Sequence, residues 1–375
     1  MKKICYIEFK VHPGPNFEYL SKIVAKHGFS VFMILLLEPG MKPYEKVDGV
    51  NIYRLPSTKQ NRKELISFIR KASTLIDKHR IDIAHIHSSC LYFALYKIFS
   101  KTSAKFIYHS LSYPLSYSNF ERTKAMLFIN FQCLFMNKTI FQSKEAIEHW
   151  KNKWMIRNKS IVPVGFDKEA LYPISENRRN KNRSLLGYND NDCVIVFCGS
   201  IAKFRRLDNL LKAFKIVVDQ MDNARLLMIG DGNALHELKD LAYTLGIESK
   251  VQFTGRIEHC ELVDYFGASD IGISYIPINE NYTYNPPVKT FDYLSCSLPT
   301  IATQTISNGK IITDRDNGLL TSDSIDGVAI SIIKLIHDDS MRKQIKQNAR
   351  SSIMNYEFET IAEKHLIPVY ESMLL

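Results

Sequence analysis

Residues 193–214 read CVIVFCGSIAKFRRLDNLLKAF. The run Cys193 to Cys198 is apolar on both faces, as a strand covered on both sides of a parallel sheet must be. Gly199 then turns the chain, and Leu210, Leu211 and Phe214 recur at helical spacing, so the stretch is one strand–turn–helix unit. Asp208 is placed to cap the start of that helix. The unit recurs toward the carboxyl terminus: ARLLMIG (224–230), KVQFTG (250–255), ASDIGISY (268–275) and PTIAT (299–303) are strand-like runs separated by helix-length segments. Toward the amino terminus KICYIEF, SVFMILLL, IDIAHIH, KFIYHS and KTIFQS alternate with helical patterns over 62–79 and 121–137. Two doubly wound α/β halves follow, with Val164 to Asn182, rich in Gly, Pro, Asn and charge, as the linker. A cleft is expected where they face each other. The segment 358–375, with Ile361, Leu366, Ile367, Val369, Tyr370 and Met373, reads as a closing amphipathic helix.

Length and composition agree with two globular domains: 375 residues, 45% hydrophobic and 23% charged, with no low-complexity tract. Seven cysteines without a C-x-x-C pair point to neither a disulfide framework nor a zinc knuckle, and fit a reducing cytoplasm. The apolar run at the amino terminus is interrupted by Glu8 and Lys10 and reads as a first strand rather than a leader. No apolar stretch reaches the roughly 20 residues needed to span a bilayer. The net charge of +10 is uneven, because residues 1–170 carry 27 Lys+Arg against 13 Asp+Glu. Such a half suits an anionic partner, either phosphorylated substrates or an anionic membrane surface, while nothing interleaves cations with aromatics as a nucleic-acid platform would. A lysine-rich solvated surface is the plainer alternative.

In open parallel sheets ligands gather at the carboxyl ends of strands, where helix amino termini present unpaired N–H groups. There the loop Gly199 to Arg206 presents Lys203, Arg205 and Arg206. An arginine, with its planar fork, suits a diphosphate better than a lysine. Gly230-Asp231-Gly232 makes the next strand-to-helix turn, needed with or without a ligand. In the run 282–303 (YTYNPPVKTFDYLSCSLPTIAT) two prolines open a helix. Having no N–H, they leave the amides of Val288 and Lys289 to hold any phosphate there, and one turn on Asp292 is placed to accept hydrogen bonds from ribose hydroxyls.

These segments resemble the family-4 glycosyltransferases, which have the two-Rossmann GT-B architecture. The resemblance rests on PVGFDKEALYP (163–173), on GSIAKFRRLDNLLKAF, on the run from LLMIGDG through VQFTGRI, ending at Ile257, and on PPVKTFDYLSCSLPTIAT, and it covers nearly the whole chain. It implies an acceptor-binding domain over 1–170, joined by a helix at 357–375, and a nucleotide-sugar-binding domain over 171–356. Gly14, Ser200, Arg205, Ile257, Tyr284, Val288, Lys289 and Asp292 are then the donor-binding positions. His109 and Arg205 are the catalytic ones, and His85 and His87 take part in packing or acceptor contact. The chain departs from the family pattern at Tyr284, where many members have the first acid of a Glu-x7-Glu pair, and at Ser200, where many have arginine.

The implied activity is that of a retaining hexosyltransferase. It moves a sugar from a nucleotide diphosphate sugar, its co-substrate, to a hydroxyl of a saccharide or lipid-linked saccharide, in surface polysaccharide or glycolipid synthesis. The expected location is the cytoplasm or the inner membrane face. No cofactor and no metal are expected: the strings Asp190-Asn-Asp192 and Asp314-Arg-Asp316 are badly placed for a metal-dependent transferase, and a hydride-transfer enzyme would need the G-x-G-x-x-G that both first turns lack. The competing class is a non-catalytic nucleotide- or glycan-binding descendant of the fold, which Tyr284 favours. The basic, acidic and titratable groups at Arg205, Asp292 and His109 speak for catalysis.

Overall fold

A computed structural model describes residues 1–56, 62–87, 96–97, 102–110, 119–150, 156, 158–279 and 282–375. The chain divides into two compact units, residues 1–165 with 358–375, and residues 166–357.

The first unit is built on β1 (Lys3–Ile7), β2 (Ser30–Leu37), β3 (Tyr44–Val47), β4 (Val50–Pro56), β5 (Ile83–His87), β6 (Lys105–Ser110), β7 (Lys138–Phe141) and β8 (Lys159–Ile161), in the order β3-β4-β2-β1-β5-β6-β7-β8. All pairs are parallel except β3–β4. That edge hairpin is absent from the sequence reading, although its turn pair is visible in Asp48-Gly49, with φ of 48° and 83°. The order reverses at β1, so the carboxyl ends of β1, β5 and β6 lie side by side, with His87 of β5 paired to His109 of β6.

The second unit holds β9 (Cys193–Cys198), β10 (Ala224–Ile229), β11 (Val251–Gly255), β12 (Ile271–Ser274), β13 (Thr300–Thr303) and β14 (Leu319–Thr321), all parallel, in the order β11-β10-β9-β12-β13-β14. Phe197 of β9 and Leu210, Leu211 and Phe214 of the helix Leu207–Gln220 are 0% exposed in one core. Each contributes about 1.5–3 kcal/mol by leaving water, which is why this stretch commits the chain to its sheet. Asp208 does not cap the helix as expected: the N-cap is Arg206, at φ 50°, and Asp208 pairs instead with Arg206 and Lys212.

The expected boundary at 170 moves to 165. Phe166 donates its amide to Tyr356 O at 3.1 Å and bridges to Glu357, while Arg350 donates to the carbonyls of Lys168 and Leu171, so 166–171 belong to the second unit. Nor is Val164 to Asn182 a linker throughout. The helix Glu176–Leu186 begins within it, capped by Ser175 and closed by Gly187 at φ 81°. Its buried Arg183 donates to the carbonyls of Ala268, Asn189 and Asp192 and pairs with Asp270, offsetting a charge that its position in the sequence suggests is solvated.

The closing segment comprises Phe358–Ile361, a wide π turn over Ala362–Leu366, and Ile367–Leu374. Pro368 has no N–H for an α-helical bond, and the ladder widens just before it. This segment packs in the first unit, burying Ile361, Leu366, Tyr370 and Met373.

Candidate functional site

In the second unit the turns after β9 and β10 are zipped together by backbone. Gly199 N donates to Ile229 O and Ile201 N to Asp231 O, both at 2.9 Å. A Cβ at Gly230 (φ 138°) would lie 2.0 Å from Gly199 O, so the approach requires glycine there. The rigid loop leads into a single 3-10 turn, Lys203–Arg205, and the three cations of the sequence reading separate. Lys203 is ion-paired with Glu237 and Arg206 with Asp208, both at the surface. Arg205 turns inward, its guanidinium 4.6 Å from the ring centre of Tyr282 and 5.7 Å from that of Phe204, and among the described residues no carboxylate pairs with it. Burial lowers its pKa.

A second cation lies nearby. The Lys289 ammonium sits 4.0 Å over the Phe197 ring and donates to Tyr275 O at 3.0 Å, and Gly199 leaves space within 3.7 Å of it. Burial, and then the Arg205 charge, push its pKa well below the ordinary lysine value. Sequence reasoning assigned Lys289 for its amide; the structure adds its side chain. Among the described residues no carboxylate pairs with either of these partly buried cations, an arrangement suited to holding an anion. Phe197 and Tyr282, which hold the pair, carried no sequence signal beyond being aromatic.

The helix Val288–Ser295 begins after Pro287 and is pinned by a buried network: Thr290 bonds Ser274 Oγ at 2.8 Å and Asn308 Oδ1 at 3.0 Å, and Tyr293 Oη accepts from Cys198 N at 2.7 Å. Val288 is partly exposed at its first turn, where helix amides lack internal acceptors. Asp292 is buried, 6% exposed, with Oδ1 3.9 Å from His259 Nε2. Burial raises its pKa and His259 opposes that. Cys198, between these groups, has its thiol pushed up to about 12 by burial, with Asp292 raising and Lys289 lowering it. Ser200 is exposed on the loop, Ile257 packs half-buried against the neighbouring core, and Tyr284 is half-buried.

The first unit carries the histidines. His109, at the end of β6, is 1% exposed, its ring stacked on that of His85 at 5.2 Å, with its Nδ1 3.2 Å from His85 Nε2. Its Nε2 is buried with no partner among the described residues. His87 Nε2 lies 3.5 Å from Glu8 Oε1. Gly14, the N-cap of the helix Pro15–Lys26, donates its amide to Glu8 Oε2 at 2.7 Å, so that amide is already engaged. Glu8, which sequence reasoning used only to exclude a leader, organises this loop.

In both acidic strings carboxylates have partners within the protein. Asp192 pairs with Arg225, Asp314 accepts from Leu320 N, and Asp316 accepts from Asn348.

Two family models match the chain: Glycosyltransferase Family 4 over residues 17–170 and Glycosyl transferases group 1 over 178–352. The chain belongs to the family-4 glycosyltransferases. Relatives of this family-4 glycosyltransferase include an uncharacterized glycosyltransferase of Haemophilus influenzae, 21% identical over 97% of this chain and 99% of the relative. The N-acetyl-alpha-D-glucosaminyl L-malate synthase of Bacillus anthracis is 23% identical over 58% of this chain and 54% of the synthase, and the chain spans about half the length of several curated relatives that it matches. Among solved structures, sucrose-phosphate synthase from Thermosynechococcus elongatus superposes with a TM-score of 0.83 at 16% identity, covering 100% of this chain and 99% of that one. Anabaena HepE in complex with UDP-glucose does so at 0.79 and 17%, over 99% and 100%. The fold of this family-4 glycosyltransferase is therefore GT-B.

Proposed function

We propose that the protein transfers a hexose, with retained configuration, from a nucleotide diphosphate sugar to an acceptor hydroxyl. The observation that carries this is the Arg205–Lys289 pair: two cations held on aromatic faces, with no carboxylate partner among the described residues, beside a helix amino terminus, suit a diphosphate leaving group. Asp292, one turn along the same helix, supplies the ribose acceptor. HepE, of the same fold, was solved with UDP and UDP-glucose, which supports a uridine nucleotide as the first donor to try. Departure of the diphosphate develops negative charge, and fixed cations stabilise it without reorganisation, so the reading includes no metal requirement. The test is a panel of nucleotide sugars assayed for binding and for nucleoside diphosphate release. Binding of none would remove the donor site, and binding without transfer or hydrolysis would favour a non-catalytic descendant.

The acceptor belongs to the first unit in this reading, and synthesis of a surface polysaccharide or glycolipid at the inner membrane face is the setting. The helix Asn119–Phe135 leaves Phe120, Leu127, Phe131 and Leu134 exposed rather than in the core, on the unit whose half of the sequence carries the positive charge. The side chains of Arg122, Met126 and Phe128 lie outside the described residues. Among the described residues no helix is long and apolar enough to cross a membrane. An apolar face amid lysines suits peripheral attachment to anionic lipid.

A further inference from the structure

Four buried side chains from three strands and the closing helix form one hydrogen-bonded chain in the first unit. Tyr370 Oη donates to Tyr6 Oη at 2.8 Å, His85 Nδ1 lies 2.6 Å from Tyr370 Oη, and His85 Nε2 lies 3.2 Å from His109 Nδ1. All four residues are at most 1% exposed, and the chain ends at His109 Nε2, which is buried and has no partner among the described residues. Phe17 packs its ring against both imidazoles, and the groups facing them are His87, Glu8 and Lys10, which lie together beside β5.

The polarity of the chain follows from proton counting. Burial depresses His85 to about 3 and His109 well below its ordinary value, so each ring is neutral and carries one N–H and one lone pair. Tyr370 has one proton and spends it on Tyr6, so its oxygen accepts from His85 Nδ1–H. A neutral His85 then has a bare Nε2, which accepts from His109 Nδ1–H. His109 Nε2 is left as a lone pair.

We propose that Tyr6, Tyr370 and His85 are positioning residues that hold His109 in its Nδ1–H tautomer, so that Nε2 accepts a hydrogen bond from one hydroxyl of the sugar substrate. A lone pair there selects an O–H donor and rejects a carbonyl or phosphate oxygen, which would meet it acceptor to acceptor. The proposal rests on the transferase reading for the identity of the ligand; the tautomer is a property of the free protein.

The experiment is long-range proton–nitrogen NMR of the histidines in the whole chain at neutral pH, with His109 assigned by its absence in His109→Gln. His109 protonated at Nδ1 is expected, and protonation at Nε2 or at both nitrogens would overturn the proposal. Tyr6→Phe removes the acceptor of Tyr370, whose proton then turns to His85 Nδ1 and reverses every bond, so His109 is expected to move to Nε2–H. Turnover should fall about ten- to a hundredfold, the loss expected when a buried acceptor becomes a donor, with nucleoside diphosphate affinity unchanged because that ligand lacks the transferred sugar. Tyr370→Phe, which keeps the ring, should instead leave a mixed tautomer and a smaller loss. A folded Tyr6→Phe protein with the tautomer unmoved, or with the tautomer moved and turnover unchanged, would refute the relay. The predicted tautomers in a protein that turns over no nucleotide sugar would refute the transferase reading and, with it, the sugar hydroxyl as ligand.

Discussion

Replacing Arg205 by alanine tests the donor site most directly. In the folded protein the side chain is held by ring contacts, at 4.6 Å to Tyr282 and 5.7 Å to Phe204, and by no ion pair among the described residues. A cation on an aromatic face contributes about 0.5–2 kcal/mol, and removing it also removes the cost of burying an uncompensated charge. The two oppose, so thermal stability should change by less than about 1 kcal/mol. Toward the diphosphate nothing cancels: a charge-assisted hydrogen bond contributes about 1.5–3 kcal/mol, so losing one to two of them costs about 3 kcal/mol, roughly a hundredfold. Lys203 and Arg206 are surface cations already paired with Glu237 and Asp208, and such pairs contribute about 0–1 kcal/mol. Lys203→Ala and Arg206→Ala should therefore change turnover by less than about fivefold. The assay is nucleoside diphosphate release against donor concentration for all three variants, alongside melting temperatures. Equal losses in the three would show a diffuse basic loop and refute the special role of the stacked arginine. A large fall in melting temperature for Arg205→Ala alone would make its role structural.

Asp292→Asn should weaken donor binding by about 1.5–3 kcal/mol while the fold survives, and calorimetric affinity equal to the parent would take Asp292 out of the site. Because the folded protein depresses Lys289 below its ordinary 10.5 and an anion favours the charged form, nucleoside diphosphate affinity should decline as pH rises through the lowered value. Lys289→Met should abolish that slope; a slope that persists assigns it to another group. Stability has the opposite sign: the unfolded chain holds the proton longer, so the parent gains stability with rising pH up to the unfolded value, and Lys289→Met should lose that gain in melting curves. Chelation of divalent metal should leave turnover within twofold of the untreated enzyme, given that Arg205 and Lys289 take the leaving-group charge, and a collapse restored by added metal would contradict this. Sedimentation with liposomes should show binding to anionic but not neutral lipid that fades with salt, and Phe131→Asp on the exposed helix face should weaken it; salt-insensitive binding would argue against a surface-charge mechanism.

Local patterning sufficed for the parallel α/β architecture, because strands buried on both faces and helices with one apolar stripe announce themselves in windows of ten residues or so. The turn glycines, the arginines after β9 and the acid of the helix Val288–Ser295 were legible for the same reason: each belongs to a strand-to-helix edge whose chemistry is set by neighbours in sequence. The hairpin at 44–56 was missed because the edge strand β3 is short and exposed and β4 beside it is mostly half-buried without clear alternation, leaving only Asp48-Gly49 as a signal. The start of the helix Glu176–Leu186 reads as linker because its charges look solvated in sequence, whereas Arg183 is buried by its contacts with Ala268 O and Asp270, 85 and 87 positions on, which no local window contains.

What only the tertiary structure decided is which of several like residues is set apart from the others by its surroundings. Three cations share one loop, and only the contact of Arg205 with Tyr282, 77 positions on, separates it from two that are spent on surface carboxylates. Lys289 was legible as a helix-start amide, but its ammonium became a feature only when β9 brought Phe197 beneath it. The histidines at 85, 87 and 109 were visible in the sequence, yet the state of His109 depends on Tyr370, 285 residues beyond His85, and on Tyr6 at the other end of the chain. Hydrophobic periodicity is a property of neighbours along the chain and survives in the sequence, whereas desolvation and hydrogen-bond polarity depend on groups that only folding brings within 3 to 5 Å of one another.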